Sequence, residues 1–140
     1  MVAVFLAGAG AAQGWSEPER GSQTRAALMD ALRPHVEWIL GPPVEFVVWE
    51  LRRQGDLAFF SGWAQRPGGG EIDMARTPGA VWGALDPSIG DGPTVQALYH
   101  RSGETWVAVH WAISATDVWY AWGPICAVWR PVIPKACRGL

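Results

Sequence analysis

Three histidines, two cysteines and one run of three glycines are the residues of this 140-residue chain whose types could do chemistry. A metal centre needs two or three ligands converging on one ion. His35 lies beside the apolar stripe of a segment with helical period. His100 and His110 lie on two runs of strand character. In the strand register described below, His100 shares a face with Leu98, Val107 and Val109. His110 points the other way, with Val95, Ala97 and Ala108. That register keeps the two histidines apart, so no metal centre is expected.

Gly68-Gly69-Gly70 raises the question of a phosphate cradle. Such a loop aims backbone N–H groups at an anion, opens a helix and usually supplies a lysine. Here Glu71 and Asp73 follow and would repel phosphate. The one lysine in the chain, Lys135, is far away in sequence. The glycines therefore read as a turn leaving a strand. Nothing else in the sequence calls for a cofactor. Nucleophilic catalysis has no frame either: Gly-x-Ser-x-Gly is absent, and Ser61, Ser102 and Ser114 have no neighbouring base in sequence. Glu45 and Glu50 fall on or near apolar strand faces, where burial can turn a carboxylate into a base. Pairing with Arg52 or Arg53 is the simpler expectation for them.

Cys126 and Cys137 fit neither a Cys-x-x-Cys motif nor a zinc knuckle. In an exported protein such a pair reads as a disulfide closing a short loop. Residues 1–14 point the same way. They are apolar and rich in small residues, as in the later part of a secretory signal, although a charged start is missing. The expected locale is periplasmic or secreted. Residues 15–140 then form a single domain. The formal net charge is −2 with both signs interspersed, so no basic footprint for nucleic acid stands out. No apolar run reaches the roughly 18–20 residues of a membrane-spanning helix. Ten tryptophans are the outlier, and they imply an aromatic core, a sticky groove, or both.

Periodicity gives the helices and strands that carry these residues. Ser22 is an N-cap candidate, and Leu28, Leu32, Val36 and Ile39 recur at helical spacing over residues 23–40. Pro34 predicts a kink or break near residues 30–33. Two aromatic and β-branched runs flank Gln54-Gly55, and two more flank Ser102-Gly103. With those turns, Trp49 faces Phe60 and Phe46 faces Trp63. Tyr99 faces Trp106, and Val95 faces His110. Both hairpins are apolar on both faces, so both faces need cover. The helix can take one. The C-terminal segment, a partner subunit in a homodimer, or a ligand must cover part of the other. Strict alternation puts Val107, Val109, Trp111 and Ile113 on the helix side. Trp106, Ala108, His110 and Ala112, with Tyr99 opposite, then form the second face, over which residues 119–122 are expected to fold. Residues 67–93 form a long connection with one helical turn near residues 80–84.

One helix followed by two hairpins of a curved antiparallel sheet of about four strands predicts an α+β fold with a cystatin-like or NTF2-like look. The stretches PVEFVVWELRRQGDLAFFSGWAQRPGGGEID (residues 43–73) and ETWVAVHWAISATDVWYAW (residues 104–122) carry Pro-Gly-Gly and Thr-Asp-Val-Trp. In these the chain resembles a group of small exported bacterial proteins without established function. The resemblance brings no catalytic residues with it.

Two functional readings follow. The first is a non-catalytic binding module of the bacterial cell envelope that uses an aromatic-rich sheet face. Its candidate binding residues are Trp106, His110, Tyr99, Asp117, Trp119 and Trp122. Its partner would be a protein, a peptide or a small apolar ligand. The alternative is a small NTF2-like isomerase or dehydratase, with His110, Asp117, Tyr99 and Tyr120 around an apolar pocket. An enzyme needs at least two of these in one closed pocket.

Overall fold

The computed structural model describes residues 14–140, so the apolar start over residues 1–13 lies outside the described residues. The fold is α+β. Helix α1 (Gln23–Leu40) precedes strands β1 (Glu45–Gln54) and β2 (Leu57–Gln65). A 3-10 turn (Met74–Arg76) and short helix α2 (Pro78–Trp82) lead to β3 (Thr94–Ser102), β4 (Thr105–Ile113) and helix α3 (Gly123–Trp129). The strands form one antiparallel sheet in the order β1-β2-β3-β4. Among the described residues no helix is long and apolar enough to cross a membrane.

Helix α1 begins where expected, with the Ser22 side chain accepting from the Arg25 N–H. Its stripe of Leu28, Leu32, Val36 and Leu40 is fully buried on one face of the sheet. Of the kink or break expected near residues 30–33, the break does not occur: the helix runs through Pro34 as one element. Pro34 and Asp30 are both exposed, so water can pair the carbonyl that Pro34 leaves without a donor. Arg66 fastens the far end by donating to the carbonyls of Leu40, Gly41 and Pro43. The Leu40 carbonyl is one that a helix terminus leaves without a partner.

Both hairpin turns sit one residue later than the sequence predicts. They place Gly55 (φ 56°) and Gly103 (φ 60°) at the first central position, as a type II′ turn requires. Leu51 therefore pairs with Phe60, Phe46 with Ala64, Tyr99 with Ala108 and Val95 with Ile113. Next to the turns this is a slip of two residues, which changes partners but not faces; beyond the bulges Phe46 is displaced by one residue and Val95 by three.

Two bulges do change faces. One falls between Val48 and Glu50 and leaves Trp49 without a partner in the ladder. The other lies where Leu98 pairs with His110 and Tyr99 with Ala108, so Val109 is the extra residue. Before that bulge Trp106 and Ala108 face α1. After it Trp111 and Ile113 do. The strict alternation expected for β4 therefore fails. Trp106 is only 7% exposed in the helix-side core and Tyr99 is fully buried there, whereas Val107 and Val109 are exposed.

The second sheet face carries its own core. Phe59 and Leu98 pack under Ile125, Cys126, Trp129, Val132, Ile133 and Cys137. Trp119 and Tyr120 join this cluster, so the first half of the 119–122 segment folds over the second face as expected, while Ala121 and Trp122 stay exposed. The Cys126–Cys137 disulfide closes this cap. The Trp129 indole N–H donates to the Tyr99 carbonyl at 2.9 Å, and Arg52 donates to the Val132 carbonyl at 3.1 Å. The domain is thus three layers: helix, sheet and a disulfide-closed cap.

Gly62 lets β1 and β2 approach beside the first bulge. A Cβ there would lie 2.2 Å from the Val47 carbonyl oxygen and 2.6 Å from the Phe60 ring. Backbone cannot yield as a flexible side chain would. Gly62→Ala should cost about 1–3 kcal/mol through overpacking. A urea melt checks it, and an unchanged midpoint would contradict this packing.

Candidate functional site

The outer face of the sheet, opposite α1, is built from rows of side chains across the four strands. One row is Arg52, Phe59, Leu98 and His110, and the next is Glu50, Ser61, Gln96 and Ala112. Val47, Trp63 and Thr94 follow, with bulged Trp49 beside them. The cap covers Phe59 and Leu98 of the first row, while His110 at its β4 end stays exposed. The Trp119 indole N–H reaches Gln96 at 3.2 Å and covers part of the second. Val47 and Trp49 remain open; Trp49 is 56% exposed and its ring lies 6.1 Å from that of half-buried Trp63.

Between the cap and the first two rows lies a cleft of about 330 Å³. Glu50, Arg52, Phe59, Val118, Tyr120, Ile133, Lys135 and Ala136 line it. Arg52 is held from several sides. It lies 4.8 Å from the Trp15 ring centroid and 5.7 Å from that of Phe59, and it pairs with Glu50 at 3.1 Å. The pairing expected for Glu50 is thus present. Glu45 accepts instead from Gln65 and from the Gly68 N–H at 3.3 Å. The glycine run therefore turns onto a carboxylate of its own chain, with Arg66 and Gly70 bridged across it.

The residues singled out from sequence are dispersed. Trp106 and Tyr99 belong to the helix-side core, which corrects their placement on the second face. His110 is on the outer face, with its ring edge-on to Trp129 at 5.2 Å. It therefore shares that face with Leu98 and His100, which corrects the expected separation of the two histidines. Among the described residues no group of three His, Cys, Asp or Glu could hold a metal ion. His35 stacks on Trp111 at 5.3 Å. Asp117 lines a depression with Asp86, Gly90 and Ser114 beyond β4. Trp122 is exposed at the start of α3. Of the four residues considered for an enzyme, only Tyr120 lines the cleft; Tyr99 lies on the other side of the sheet. Sequence reasoning missed two pairings, Trp49 with Trp63 and Phe59 with Lys135 in the cleft. A bulge and a long-range cap bring them together, and neither has a local signal.

The chain's two tyrosines report on both cores. Burial pushes the Tyr99 phenol above the ordinary tyrosine range. Tyr120 is also raised, first by burial and then by the Glu50 carboxylate, while Arg52 pulls the other way. The unfolded chain ionises these phenols near pH 10. Above that pH the unfolded state binds fewer protons than the folded one, so stability present below about pH 10 is lost as pH rises further. Tyrosinate absorbance should therefore rise together with loss of near-UV circular dichroism. Both phenols ionising near pH 10 in a folded protein would contradict this.

A scan against protein-family models, a search of curated proteins and a search of solved structures each find no match to this chain.

Proposed function

We propose that the protein is a non-catalytic binding module of the bacterial cell envelope, periplasmic or secreted, which engages its partner through the outer sheet face. The observation that carries this reading is the half-covered face. The cap seals Phe59 and Leu98 but stops short of Val47, Trp49 and Trp63. Exposed aromatic surface beside a cleft with fixed polar groups is the composition of a recognition site. The disulfide fits an oxidising compartment. One helix before two antiparallel hairpins supports a cystatin-like or NTF2-like assignment.

The test compares wild-type protein with a Trp49→Ala/Trp63→Ala variant in binding to envelope extract. Trp38→Ala serves as the control, since Trp38 is an exposed tryptophan of α1 that pairs with Trp82. The double variant should lose about tenfold or more in affinity, as expected for a central aromatic pair, and the control should bind normally. Equal binding by all three proteins would refute the reading.

A further inference from the structure

The cleft beside this face has a composition that selects a ligand class. Its charged lining groups are Glu50, Arg52 and Lys135. Glu50 and Arg52 neutralise each other at 3.1 Å. Lys135 takes part in no ion pair among the described residues. The lining thus carries one uncompensated positive charge. The rest is apolar, with buried Phe59 and Ile133 and the side chains of Val118 and Ala136. Tyr120 adds a phenol that is half-buried and held protonated, so it can donate to an anion. A cation would meet Lys135 and find Glu50 already paired. A wholly apolar molecule would leave the ammonium unused. The cleft volume lies at the small end of ligand sites.

We infer that this cleft binds small molecules made of an apolar body and a single carboxylate. The inference rests on the outer-face reading and names its ligand class. The carboxylate meets Lys135 and the Tyr120 hydroxyl, and the apolar body lies over Phe59 and Ile133. Two sources present this chemistry, a free short-chain acid and the C-terminus of a peptide ending in an apolar residue.

The test is titration of the intact, disulfide-bonded protein followed by amide chemical shifts. The probes are octanoate and N-acetyl-leucine, each beside an uncharged counterpart, octanol and N-acetyl-leucine amide. A ligand of about ten heavy atoms in an open cleft should bind with a millimolar Kd. The shifts should centre on residues 118–120 and 133–136. Each acid should bind at least fivefold more tightly than its counterpart. Lys135→Met should abolish that preference, and Glu50→Gln, which removes the opposing carboxylate, should strengthen acid binding. Tighter binding of octanoate assigns the free acid, and tighter binding of N-acetyl-leucine assigns the peptide terminus. Equal binding of acid and counterpart, shifts centred elsewhere, or no shifts at about 20 mM would overturn the inference. If that happens while Trp49→Ala/Trp63→Ala still weakens envelope binding, the ligand class is wrong and the outer-face reading stands. If the double variant also binds normally, both fall.

Discussion

Trp106→Ala should cost about 3–5 kcal/mol of stability, the range for removing a large aromatic side chain from a core. Its ring is buried between α1 and the sheet, and the guanidinium groups of Arg53 and Arg101 lie 5.3 and 5.5 Å from its centroid. Val107→Ala, one residue away, should stay within about 0.5 kcal/mol, because Val107 is exposed. Strict alternation along β4 predicts the reverse, with Val107 in the core and Trp106 free to bind a partner. Thermal melts of the two variants decide between them. A mild Trp106→Ala and a severe Val107→Ala would remove the bulge at Val109 from the account.

The Cys126→Ser/Cys137→Ser double variant should lose stability chiefly in the cap. The bond spans 11 residues, and the chain-entropy argument gives about 2–3 kcal/mol for a loop of that size. Both cysteines are buried, so the serine hydroxyls add a desolvation cost. Trp129 and Arg52 still tie the cap to the sheet, so the helix-side core should survive. Amide exchange reads this directly. Residues 123–137 should exchange much faster while α1 keeps its protection. Unchanged exchange in the cap, or equal loss of protection in both cores, would contradict a locally stabilising bond.

The α+β class, the bounds of α1, the two hairpins and the disulfide were all legible because each has a local cause. Ser22 caps, Leu28 to Val36 repeat at helical spacing, and Gly55 and Gly103 turn the strands. The cover over the second face was legible as a need, since a sheet apolar on both sides cannot be left bare. What could not be read was which residues lie on which face. A bulge inserts one residue and reverses the alternation beyond it, and no residue type at Val109 or Trp49 announces it. That is why strict alternation puts Trp106 and Tyr99 on the wrong face while it places Trp111 and Ile113 correctly. The cleft was illegible for a second reason. It joins Glu50 and Phe59 to Tyr120 and Lys135, residues that only the folded cap brings near.

Helix α1 seals one sheet face, and the cap leaves the other half open. Hydroxyl-radical footprinting of the native protein, read by mass spectrometry at each tryptophan, tests this most directly. Trp49 and Trp122 should oxidise fast, Trp63 and Trp119 at intermediate rates, and Trp106 and Trp129 should be protected. Oxidation of Trp106 at the rate of Trp49, or protection of Trp49 in the free monomer, would contradict this arrangement.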